Sequence, residues 1–246
     1  MASGEVVRDF ELSTVFALTI KILLHRPGTA LLLAAVTVAL PVELYLRLVP
    51  YVPLQFSLSS AVYTLGAFVS YSPAAVLTAW MALCASGEER PIGRAIVGGL
   101  LLTLLYFIVL VAGMLGLFAL IIPGILWSLA TTVAVPAAAV DRMGIKNALI
   151  RSFDLTEGRR GMILVISIVV MLAPVLAVVA FEFALNGWRL LSPEENPIIT
   201  NITRPVTDTL VTMWGSALTA AVYIDLVRVA GGPGADGAVT AGTAAR

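Results

Sequence analysis

Residues Gly161–Phe181 read GMILVISIVVMLAPVLAVVAF. No side chain in this stretch ionises, and its one polar side chain is Ser167. A helix needs about 20 such residues to cross a hydrocarbon layer roughly 30 Å thick. A helix on the surface of a soluble protein keeps a polar face for water, and this stretch has none. The same pattern recurs outward along the chain. Thr29–Leu46 is almost as free of charge, and the 246 residues as a whole are 59% hydrophobic and only 12% charged. A soluble domain carries about 25% charged residues. The chain therefore reads as all-α and polytopic.

Six spans follow from the apolar runs, at about Thr29–Val49, Leu54–Ala85, Pro91–Ile122, Ile125–Val140, Met162–Leu185 and Asp208–Val229. The second is long, about 48 Å if wholly helical. It contains Pro73, which removes a backbone hydrogen bond and predicts a bend or break there. Pro123-Gly124 predicts a tight hairpin between the third and fourth spans. Pro174 lies inside the fifth. Ahead of the first span, Phe10, Val15, Phe16, Thr19, Ile22 and Leu23 share one helical face, and His25-Arg26-Pro27-Gly28 ends the helix. That is the pattern of an amphipathic helix lying in the membrane interface. Residues 1–28 thus form a cytoplasmic segment with an interfacial helix and no cleavable leader. Residues 29–230 form the membrane domain, and the Gly- and Ala-rich residues 231–246 form a disordered tail.

Orientation follows from the basic residues, which collect on the cytoplasmic side of membrane proteins. With both termini inside, twelve of the fifteen Lys and Arg residues are cytoplasmic, and only Arg47, Arg189 and Arg204 are outside.

Charge balance and inventory narrow the function. Net charge is zero, which gives no sign of nucleic-acid binding. One cysteine, Cys84, and one histidine, His25, leave no Cys/His metal site, no disulfide scaffold and no Ser-His-Asp triad. No cofactor is called for, and the chain reads as non-enzymatic. Asn201-Ile202-Thr203 matches a glycosylation acceptor in an outer loop, a pattern short enough to arise by chance.

Charged residues inside or beside spans are the best pointers to a role, because ionised groups in hydrocarbon need partners or water. Glu43 and Arg47 stand one turn apart near the outer end of the first span. Asp225 and Arg228 stand one turn apart near the inner end of the sixth. Asp225 is flanked by apolar residues and opposes the negative end of its helix dipole, so it needs a cation. Arg151 is the expected partner, then Arg159, with the neighbouring Arg228 also within reach. Between the fourth and fifth spans, Ile145, Ala148, Leu149, Ser152 and Phe153 form one face of a basic amphipathic helix. Gly158 is placed to end it, and Arg159-Arg160 mark the start of the fifth span. Such a helix suits anionic headgroups of the cytoplasmic leaflet or a protein partner.

Several motifs occur together: Ile122-Pro123-Gly124-Ile125, Pro136, the run Ala148–Arg160 (ALIRSFDLTEGRR), and Ala221–Leu226 (AVYIDL). As a set they resemble a broad group of bacterial six-helix membrane proteins. That group includes the membrane domain fused to some glycerophosphoryl diester phosphodiesterases, and stand-alone relatives. The likeness covers about Thr103–Arg228. Two departures are Arg142 directly after the acidic Asp141, and a single basic residue, Arg228, after Asp225. No phosphodiesterase catalytic domain is present, so the resemblance implies a prokaryotic inner membrane and no enzyme activity. The function expected is a scaffold or accessory membrane subunit. The alternative is a transporter of a small solute or lipid-related molecule, since Pro73 and Pro174 interrupt the second and fifth spans, matching positions if the chain is two inverted halves.

Overall fold

A computed structural model describes residues 10–41, 73–88, 91–186 and 204–231. Among these the chain is helical, without strands. We number the helices α1 (Leu12–His25), α2 (Pro27–Ala34, running on through the wider π turn Ala35–Ala39), α3 (Ala74–Ala85), α4 (Pro91–Val97) and α5 (Gly99–Ala119). They continue as α6 (Ile121–Thr131), α7 (Ala134–Val140), α8 (Ile145–Thr156), α9 (Arg160–Asn186) and α10 (Arg204–Val229). Among the described residues four stretches are long and apolar enough to cross a membrane: Gly99–Gly116, Ile121–Val140, Arg160–Ala180 and Val206–Val229. A fifth is possible if α1 and α2, bent by 86° at Arg26, count as one span. The first two spans expected from the sequence fall partly in residues 42–72, outside the described residues. Pro73 stands immediately before α3, at its N-cap.

The apolar content of the spans runs opposite to their burial. Arg160–Ala180 has a mean hydropathy of 3.1 and only 17% of it is buried, whereas Val206–Val229 has 1.5 with 56% buried. In water the most apolar helix would be the most hidden. The reverse ordering is what a hydrocarbon solvent produces, because lipid tails accept Val and Leu as readily as a protein core does. The chain is a membrane protein with several apolar helices.

The core is α10 packed against α1, α3 and α9. Along α3 nearly every residue from Ala74 to Leu83 is buried, and four of them are alanines that let α10 approach closely. Gly99 at the start of α5 lies against Val76 of α3.

Two breaks sit elsewhere than the sequence pattern placed them. The reversal between α5 and α6 occurs at Leu120, whose backbone is extended (φ −161°, ψ 128°). Pro123 and Gly124 lie in the first turn of α6, where a proline's missing N–H costs nothing. The glycines serve packing instead: a Cβ on Gly116 would stand 2.9 Å from the Gly124 Cα, and one on Gly113 would stand 3.3 Å from the Ser128 hydroxyl. The expected single span from Pro91 is also divided, at Gly98, into α4 and α5.

Candidate functional site

The charged side chains that the structure describes gather mainly at one end of the bundle. There α3, α7 and α10 finish, and α4, α8 and α9 begin. The rim is built from helix ends with exacting backbone requirements. After α3, Gly87 takes a left-handed conformation (φ 81°), and the Glu88 N–H reaches back to the Leu83 carbonyl. After α7 the same motif recurs with Arg142 in the left-handed position (φ 56°) and the Met143 N–H bonded to the Ala138 carbonyl. Glycine normally fills that place. Gly158 (φ 73°) closes α8, as its position in the sequence indicated.

Asp141, released by the turn after α7, is the hub. Its Oδ1 accepts a 2.9 Å hydrogen bond from the Tyr223 hydroxyl of α10, and its Oδ2 lies 3.6 Å from Arg151 Nε of α8. Arg94 of α4 pairs with Glu88 and donates to the Val140 carbonyl at 3.2 Å. The amphipathic helix α8 is held down along its length. Ser152 Oγ donates to the Ala130 carbonyl at 2.7 Å, a group in the last turn of α6 where no in-helix donor remains. Phe153 packs edge-on against Trp127 at 5.6 Å, and the Arg160 guanidinium sits 5.7 Å from the centre of the same ring. The buried face of α8 is Ala148, Ser152, Leu155 and Thr156, while Lys146, Asn147, Ile150 and Asp154 face outward.

Asp225 is fully buried, and its partner is Arg228, with Nη2 2.8 Å from Oδ1. The expected pairing with Arg151 or Arg159 is not what the structure holds. Arg228 lies one turn along the same helix and reaches the carboxylate without any tertiary contact, while Arg151 is claimed by Asp141. α8 also rests on α6 and α7 more than on α10. What covers Asp225 is the beginning of α1: the Glu11 main-chain N–H approaches the carboxylate, although neither oxygen has a well-aligned hydrogen bond. Glu11 is the N-cap of α1 and gives that helix no side-chain cap. The carboxylate of α10 therefore supplies, across the chain, the negative charge that a helix N-terminus favours. Phe10, Val15, Thr19 and Ile22 are buried as α1 runs along α10, with Phe16 against Trp214 at 6.4 Å. The face expected to dip into lipid is met by protein.

Pro174 lies within α9, which stays helical through it. Glu43, Arg47 and the Asn201 acceptor lie outside the described residues. Sequence reasoning missed the bond between Tyr223 and Asp141 and the seating of Ser152 on the Ala130 carbonyl. Its available signal was that polar residues recur on the inner side of α10 and at the start of the basic loop. No family model, curated protein or solved structure matches the chain.

Proposed function

We propose that the protein is a six-span integral protein of a prokaryotic inner membrane, with both termini cytoplasmic. In this reading it acts without enzymatic activity as a scaffold or accessory subunit. The twelve-to-three division of basic residues supports the orientation, and the likeness to the bacterial six-helix group supports the membrane. The observation that carries the role is the fixing of α8. Ser152, Phe153 and Arg151 tie one side of this helix to α6, α9 and Asp141, so its other side is presented as a rigid surface. Exposed Arg142 and Lys146 give that rim positive charge toward anionic headgroups, and Ile150 offers an apolar contact for a protein partner.

A photoreactive residue at position 150, compared with one at 168 on α9, tests this in native membranes. A discrete protein adduct from position 150, lost with Lys146→Glu and absent from position 168, is expected. Lipid adducts alone from both positions would remove the scaffold role.

Transport is the second reading. It is favoured by the interruption between α6 and α7 at Thr132–Val133, which borders a cleft within the bundle. Uptake of solute by vesicles containing the purified chain would move the assignment there.

A further inference from the structure

That cleft has a volume of about 510 Å³, within the roughly 300–1,000 Å³ usual for small-molecule sites. It lies among α3, α5, α6, α7, α9 and α10. Tyr106, Ser167 and Thr212 line it from three different helices, each more than a turn from either end of its span.

The hydroxyls around it fall into two sets. Thr78, Thr131, Thr132 and Thr219 each donate to a carbonyl one turn back, at 2.7–3.2 Å, and Ser216 pairs with Thr78 at 3.0 Å, which saturates these five. Tyr106, Ser167 and Thr212 have no hydrogen-bond partner among the described residues. Unpaired hydroxyls at membrane depth are costly, and three of them opening onto one space call for a guest with acceptor oxygens. Among the described residues no Asp, Glu, Lys, Arg or His borders the cleft, so a charged guest would lose its hydration without gaining a partner there. The rest of the lining is apolar, with Val109, Leu110 and Met171 among it.

We infer that this cleft binds the ester region of an uncharged, diacylglycerol-class lipid, its carbonyl oxygens accepting from the three hydroxyls and its chains running out into the bilayer. The inference needs the chain to be embedded in a membrane but not the scaffold role.

The test uses the full chain in phosphatidylcholine nanodiscs. They carry a small fraction of diacylglycerol with a diazirine near its esters, or phosphatidylglycerol bearing the same group. After illumination, the diacylglycerol probe should label peptides around Tyr106, Ser167 and Thr212, and the phosphatidylglycerol probe should not. Ser167→Leu or Thr212→Leu should lower that labelling about five-fold, the worth of one neutral hydrogen bond, with labelling of the outer α9 face unchanged. If the leucine variants do not fold, Tyr106→Phe, which removes one hydroxyl and adds no bulk, gives the same reading. Equal labelling by both probes, labelling confined to outward faces, or labelling indifferent to all three substitutions would overturn the inference. Release of the chain from native membranes by alkaline carbonate would instead defeat the membrane reading on which it rests.

Discussion

Two neighbouring helices, α9 and α10, divide the work of a membrane helix between them. α9 is the more apolar and shows most of its surface: among the described side chains only Ile163, Ile166 and Val170 near its start form a buried stripe, while Val165, Ile168, Leu172 and Leu176 face out. α10 carries Thr209, Ser216, Tyr223 and Asp225 and buries all four. Polar groups go inward here because hydrocarbon offers them nothing, and the interior supplies partners such as the Thr78–Ser216 bond at 3.0 Å and the Trp214 bond to the Val170 carbonyl at 3.1 Å. Substitutions on α10 should therefore act through packing and pairing, and those on the outward face of α9 should barely register.

The largest effect expected is from Asp225→Asn. It leaves Arg228 without its counter-charge and weakens the seat of α1. Losing one partner of a buried pair costs about 3–5 kcal/mol. Arg228 is a quarter exposed, which places the loss near about 3 kcal/mol. Reversible unfolding in mixed detergent micelles measures it, and a loss no greater than that of Val169→Ala on α9 would erase the contrast between the helices.

Overpacking comes next. Ala220→Leu on α10 should cost about 1–3 kcal/mol, while Val169→Leu should be near neutral. Gly116→Leu belongs with the first, since it pushes α5 away from Gly124. Gly28→Ala, with open space around it, is the control. Equal losses at Ala220 and Val169 in the same unfolding assay would mean that both helices are enclosed.

Smaller still is Arg151→Gln. Its contact with Asp141 is 3.6 Å long and partly exposed on both sides, so about 1 kcal/mol or less is expected. Combined with Asp225→Asn, it should be additive, because the two acids hold different arginines. A coupling energy above about 0.5 kcal/mol in the double-mutant cycle would reinstate a link between them. The smallest effect, about 0.6 kcal/mol, is expected for the Thr78–Ser216 coupling measured with Thr78→Val and Ser216→Ala.

The spans at α5, α6–α7, α9 and α10 were legible because lipid imposes a simple rule on sequence: about 20 predominantly apolar residues with few or no charges. Gly158 as the end of α8 was equally plain, since few residues other than glycine take a left-handed conformation cheaply. The rim was less readable. Asp225 had several arginines within reach, and the choice among them turned on which acid each meets after folding, a matter of tertiary position. Arg142 in the left-handed place carries no sequence signal, because a helix end is recognised by glycine and here there is none. The docking of α1 on α10 was hidden for the same kind of reason: an apolar face looks alike whether lipid or protein will cover it.

The seat of α1 has a consequence for how the protein is made. The residues that cover Asp225 leave the ribosome long before Asp225 itself, which lies more than two hundred positions further along the chain. Until then α1 has neither its apolar neighbour nor the carboxylate at its uncapped N-terminus. Closing this contact joins two helices far apart in the chain, so a cell's proteases meet a loose α1 on every copy that stops short of α10 and a seated one on every copy that has it.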